Sequence, residues 1–369
     1  MATQQELKAL LGKPIPLAPN TYLHFYNGGK LRAKFMGEAD PQDDFRSEEW
    51  IFSTNRAITP GRDNPPDKGF SRAMLPSGEV ILLQELLQAF PKETLGDKHF
   101  ARFGPNLGVL LKIFDVGDNA HIPVHWHPSP AFSKKNLNSD FGKNECWIVL
   151  DTRPGAKAWV GFKDDVSKEQ FRPWMEAQDV ETMRGHMHVI EPNPGDVVYL
   201  TDGWVHSLGA GLCILEPQEP TDWNILAEWE GYPYKREDGS CGLDWNIALD
   251  AARWEKMPED YLNGYVLRQP VVLRQSNGDV EEALVPNEAK QYFYVTRFKI
   301  KSGMDVPAGR GFHCLVPTHG EGVIRGTFGE TPIRKSTSIF IPADMGEYQL
   351  VNTGSETLEV ISCFPPVVK

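Results

Sequence analysis

The chain has 369 residues, more than a single hydrophobic core usually serves, so two domains or a two-lobed body is expected. Its 38 basic against 50 acidic residues give a formal charge of −12, which disfavours nucleic acid and anionic membrane as partners. Residues 1–17 hold no apolar core fit for a signal peptide, nothing approaches a membrane span, and Cys146, Cys213, Cys241, Cys314 and Cys363 are scattered and odd in number, so a cytoplasmic protein with free thiols is expected.

In chain order, Leu82, Leu83, Leu86, Leu87 and Phe90 recur at helical spacing and stop before Pro91, which predicts a helix burying a leucine stripe. His125-Trp126-His127 follows. On a strand, alternate side chains share a face, so the two imidazoles can grip one ion while Trp126 points away. Glu145 opens a run of apolar and β-branched residues that reads as a second strand. Residues 129–144, between these segments, are expected to form a loop over the mouth of a barrel. Residues 165–183 carry mixed charge with Phe171, Trp174 and Met175 and predict one or two surface helices. Gly195-Asp196 makes a turn, a short strand follows, and a second turn at Gly203 delivers His206. Residues 234–242 read as a loop and 243–254 as a helix. Beyond Gln291 the pattern becomes short strands at 292–300, 322–328, 338–342, 348–351 and 358–364, which suit a second β-barrel.

His125, His127, Glu145 and His206 thus supply three imidazoles and one carboxylate from three strand-like segments. Such a set suits Zn²⁺ and, less selectively, Mn²⁺, Fe²⁺, Co²⁺ or Ni²⁺, and it leaves room for water and therefore for substrate. An enzyme is expected more than a binder. His186 and His188 also form a His-x-His pair, but without a strand carboxylate nearby and just before Glu191-Pro192-Asn193-Pro194-Gly195 they read as an exposed edge. His99, His121, His313 and His319 read as packed or solvated.

The segment from Gly195-Asp196 to Gly203-Trp204-Val205-His206 resembles the second cupin motif, with Thr201 where a proline is usual, and His125-x-His127 with Glu145 resembles a stretched first motif. Over most of its length the chain resembles the type I phosphomannose isomerases in their short bacterial form. The resemblance rests on Gly28-Gly29-Lys30-Leu31-Arg32, Ser47-Glu48-Glu49-Trp50, Leu107 to Asp115, Gly142-Lys143-Asn144-Glu145-Cys146-Trp147, and His206-Ser207-Leu208-Gly209-Ala210-Gly211 followed by Glu216-Pro217-Gln218. It implies a mainly β protein of two cupin (jelly-roll) β-barrels with a few peripheral helices. Residues 1–230 would form the metal-binding catalytic domain, 231–290 a connecting segment, and 291–369 a degenerate cupin that has lost its metal, since Glu347-Tyr348 stands where the closing histidine would fall. The chain departs from the family at Pro123, at Ser129-Pro130, and at Leu226, where the resemblance predicts an Arg four residues after Asp222. A leucine cannot make the guanidinium fork that usually holds a phosphate dianion, so mannose 6-phosphate is expected to be a poor substrate relative to a neutral or differently substituted sugar unless another Arg compensates.

The activity so implied is metal-dependent aldose–ketose isomerisation of mannose 6-phosphate or a related sugar or sugar phosphate. A proton must move between C1 and C2 while an enediolate develops, and the metal polarises the carbonyl oxygen. Lys143, two residues before Glu145 and on the same strand face, is the candidate proton carrier, with Glu216 and Asp222 placed to orient hydroxyls or assist ring opening. A metal-dependent cupin dioxygenase and a non-catalytic sugar-binding protein are the alternatives.

Overall fold

In a computed structural model, which describes residues 2–368, the chain folds mainly into antiparallel strands arranged as four sheets. A seven-stranded sheet carries the strands Leu110–Asp115, Glu145–Thr152, Val197–Leu200 and Leu212–Gln218, with Glu48–Phe52 toward one edge. A five-stranded sheet carries Ile122–Trp126 between His206–Leu208 and Ile225–Leu226. Side chains of both sheets meet in one apolar layer that includes Phe114, Trp147, Val160, Leu208 and Ile214. Toward the C-terminus, a nine-stranded and a four-stranded sheet enclose a separate layer with Phe298, Ile324, Ile339, Leu350 and Leu358.

The outer face of the seven-stranded sheet packs on the nine-stranded sheet, for Ile113, Ile148 and Leu215 share a core with Val295, Val316, Phe340 and Ile361. The N-terminal strands Ile15–Ala18, Arg72–Met74 and Val80–Leu82 complete that nine-stranded sheet, with Ile15 opposite Phe340. Early and late segments of the chain are therefore joined by both backbone pairing and a continuous core. All five cysteines are free. Among the described residues, no helix is long and apolar enough to cross a membrane.

The leucine stripe forms the helix Leu83–Ala89, with Leu83, Leu86 and Leu87 buried. The mixed-charge segment forms two helices, Lys168–Glu176 and Val180–Gly185, the first closed by a capping box between Ser167 and Gln170. The helix expected over 243–254 is limited to Trp245–Leu249. It stops because the chain turns to let Arg253 N–H donate to the Gly203 carbonyl at 2.8 Å and the Trp254 indole to the Leu249 carbonyl at 3.0 Å.

In the C-terminal half the expected strands are present as Tyr294–Ile300, Glu321–Gly326, Ile339–Ile341, Tyr348–Asn352 and Leu358–Phe364. Sequence reasoning passed over the hairpin Val271–Ser276 and Asp279–Ala283, although its signal was present. Asn277 and Gly278, both at positive φ, supply the two-residue turn that strand twist favours. It also passed over His313–His319, whose Pro317 argues against a strand.

Candidate metal and active site

The five-stranded sheet presents His125 and His206 directly opposite one another across a strand pair, and His127 lies one residue beyond the end of the same strand as His125. Each ring is oriented by a backbone carbonyl. Nδ1 of His125 donates to Pro123 at 2.7 Å, that of His127 to Trp223 at 3.0 Å and that of His206 to Trp204 at 2.8 Å. A neutral imidazole has one N–H, so with Nδ1 donating, Nε2 is left as a lone pair. Burial drives His127 down to about 3, aided by the Lys143 charge, and holds His125 well below the usual histidine range, so both rings are neutral at pH 7. Ligand nitrogens of the three rings lie within 4.8 Å of one another.

Glu145 enters from the facing sheet. Its Oε2 is 3.0 Å from His127 Nε2 and its Oε1 is 3.2 Å from His206 Nε2, while the Trp147 indole donates to Oε1 at 3.0 Å. Lys143 bridges Glu145 Oε2 and His127 Nε2, whereas among the described residues no cationic side chain stands between Glu145 Oε1 and His206 Nε2. Nε2 of His206 is buried without any hydrogen-bond partner. The donor set of three nitrogens and one carboxylate, with each ring fixed through its other nitrogen, therefore fits a first-row divalent ion. It is the one such histidine group among the described residues.

Lys143 is buried and donates to Glu145 Oε2 at 2.9 Å and to His127 Nε2 at 3.0 Å. Its backbone is pinned on both sides by the buried Glu219, which accepts from Gly142 N–H at 3.1 Å, Asn144 N–H at 3.0 Å and the Asn144 amide at 2.7 Å. Lys143 N–H itself donates to the Pro128 carbonyl at 3.2 Å. That bond closes the segment between the first and second motifs. The expected loop there contains a helix, Pro130–Asn136, started by Ser129 capping Phe132 N–H and by Pro130 in the first turn. After it, Asn138, Ser139 and Phe141 line the cavity.

The opposite wall was not found by sequence reasoning. Glu48 is buried and accepts from Tyr22 at 2.8 Å, Tyr26 at 2.9 Å and the Trp50 indole at 2.8 Å, with Lys112 and His24 each 3.5 Å away. Burial alone would raise this carboxyl, but the His24 and Lys112 charges and the donated hydrogen bonds outweigh it and hold it at about 2. Lys112 also pairs with Glu216 at 3.0 Å, the two being cross-strand partners. Burial, with Glu145 nearby, lifts Glu216 to about 7 against the pull of Lys112. The signal for this wall was a carboxylate inside an otherwise strand-like run, Glu48-Glu49-Trp50-Ile51-Phe52.

His24, Tyr26, Glu48, Lys112 and Glu216 line a cavity of about 920 Å³ together with His125, Lys143 and Glu145, and the same cavity receives Arg56, Asp222, Asn224 and Leu226. Asp222 is exposed and accepts from the Asn224 amide at 2.9 Å. Leu226 pairs directly with His125, so the position predicted to carry Arg is apolar and beside the histidine cluster. The remaining histidines lie apart from it. His188 sits on an edge strand and bonds the Met257 carbonyl, while His186 stacks on Trp174 and pairs with Asp164. His99 bonds the Asn106 carbonyl, His121 pairs with Glu228, and His319 is exposed. His313 meets the Tyr348 hydroxyl at 2.9 Å, so the residue standing in place of a closing histidine satisfies a buried imidazole instead.

No family model matches the chain. The Bacillus subtilis protein YvyI is 25% identical over 343 residues, covering 92% of this chain and 96% of its own. The mannose-6-phosphate isomerase ManA of the same organism is 23% identical over 283 residues, 74% of this chain and 82% of its own. A crystal structure of mannose 6-phosphate isomerase from Bacillus subtilis superposes with a TM-score of 0.71 over 95% of this chain and 99% of that one, at 22% identity. The chain is similar in sequence and in fold to proteins named mannose-6-phosphate isomerase. The likeness spans both halves of the fold, and Leu226 marks where this relative's cavity chemistry differs from the pattern its motifs predict.

Proposed function

We propose that this chain is a metal-dependent aldose–ketose isomerase that interconverts mannose 6-phosphate and fructose 6-phosphate, or a closely related sugar phosphate. The observation that carries the reading is the convergence of the Nε2 side of His125, His127 and His206 with Glu145 beside the cavity, in a chain whose relatives bear that name. Held by those four side chains, Zn²⁺ or another divalent first-row ion supplies a Lewis acid for the sugar's carbonyl oxygen.

The chain's own residues do the rest. Lys143 Nζ, which a metal ion at His127 would release from that ring, acts as an amine base that takes the proton from C2 of the aldose and returns one to C1. Glu216, with its carboxyl poised at about 7, moves the hydroxyl proton between O2 and O1. Asp222 at the cavity lining holds sugar hydroxyls during ring opening. Phe114, Phe141 and Trp223 provide apolar surface that limits water. On the same reading each sheet pair closes as a cupin-type barrel around its own apolar layer. Residues 1–230 carry the catalytic part, 231–290 connect, and 291–369 form the part without a metal site.

The test is metal analysis of the purified protein together with a coupled assay of mannose 6-phosphate isomerisation. A bound first-row ion and turnover that falls in His206→Ala support the proposal. A metal-loaded protein that isomerises no sugar phosphate refutes it.

A further inference from the structure

We infer that Arg56 is the residue that recognises the phosphate group of the substrate, taking over the charge that Leu226 lacks; the inference rests on the sugar-phosphate reading of the cavity. Three cations line that cavity, and two are committed. Lys112 is buried between Glu48 and Glu216, and Lys143 is buried against Glu145. Arg56 is exposed and, among the described residues, makes no ion pair, side-chain hydrogen bond or aromatic contact. Arg62 on the same loop differs. Its guanidinium donates to the His24 carbonyl at 2.9 Å and lies 3.4 Å from the centre of the Phe45 ring.

The loop is built to hold Arg56 in place. Asn55 donates its amide to the Pro220 carbonyl, which ties the loop to the segment leading to Asp222, and Ala57 N–H donates to the Lys68 carbonyl at 2.8 Å. Gly69, at positive φ, closes the loop so tightly that a Cβ there would meet Ala57 N at 2.3 Å and Asn55 O at 2.5 Å. Both neighbours of Arg56 are therefore fixed while its side chain is uncommitted. An uncommitted guanidinium on an anchored stretch of the cavity lining suits the dianion of a sugar phosphate, because its fork makes two charge-assisted bonds to phosphate oxygens.

The experiment compares wild type, Arg56→Ala and Arg56→Lys, titrating each metal-loaded protein calorimetrically with mannose 6-phosphate and with mannose and measuring kcat and KM for both. Wild type should bind the phosphorylated sugar at least about tenfold more tightly than mannose, the scale of a charge-assisted pair. Arg56→Ala should erase most of that preference while mannose binding stays within about twofold, and Arg56→Lys should restore part of it. A wild type without preference for the phosphate, or an Arg56→Ala protein that keeps it, overturns the assignment. If the preference collapses in Arg56→Ala but no protein isomerises either sugar, Arg56 stands and the isomerase reading falls. If turnover is normal and the preference survives in Arg56→Ala, the reverse holds.

Discussion

The Lys143 ammonium donates at 3.0 Å to Nε2 of His127, the ring nitrogen left as a lone pair because Nδ1 is engaged by the Trp223 carbonyl. One lone pair serves one partner, so Lys143 and a metal ion exclude each other at His127. Lys143→Met should leave metal affinity equal to or higher than that of wild type while lowering turnover about a hundredfold or more, the size of a general acid–base contribution. Loss of metal in this variant, measured by equilibrium dialysis, would show that Lys143 belongs to the metal-binding set instead.

Removing a ligand should separate binding from folding. His206→Ala or Glu145→Gln is expected to abolish metal uptake and turnover while leaving the circular dichroism spectrum and a cooperative melt, because the sheets bury cores independent of the ion. Full metal occupancy in both variants would remove these residues from the ligand set.

Glu48 predicts a pH dependence of stability. Its carboxyl is held at about 2 in the fold against the ordinary 4.5, so its contribution is present above about pH 4.5 and is lost as pH falls through about 2. The difference corresponds to roughly 3 kcal/mol. Urea unfolding of Glu48→Gln should show a deficit of about that size at pH 6 that shrinks steadily toward pH 2. A deficit that does not change with pH would mean that shape, and not charge, is what Glu48 contributes.

Glu219 is expected to act through the backbone on either side of Lys143. Glu219→Ala leaves three buried N–H donors on Gly142 and Asn144 without acceptors, at about 1 to 3 kcal/mol each before relaxation. Both the urea midpoint and kcat should fall, with metal content retained. Unchanged kcat in a destabilised protein would confine Glu219 to a structural role.

How legible the molecule was depended on the range of the interactions. His125 and His127 announce their common face through strand alternation, and the two Gly-turns around 195–206 announce His206, because those are local rules. That His206 pairs opposite His125, or that Glu145 reaches them from another sheet, is a matter of long-range register, which spacing cannot encode. The Glu48 wall was missed for the same reason: Tyr22, Lys112 and Glu216 become its neighbours only when the sheet assembles. So was the pairing of Ile15 with Phe340, which joins residues more than three hundred apart. Leu226 could be singled out from its spacing after Asp222, but the uncommitted Arg56 in the same cavity could be recognised only once its neighbours were placed.

The most direct test follows isomerisation of mannose 6-phosphate by the purified protein before chelation, after chelation and after titration with Zn²⁺ and other first-row divalent ions. Turnover should disappear with the metal and return at about one equivalent per chain, with no return in His206→Ala. Turnover that survives complete removal of the metal, or its absence in fully loaded protein, would contradict the account.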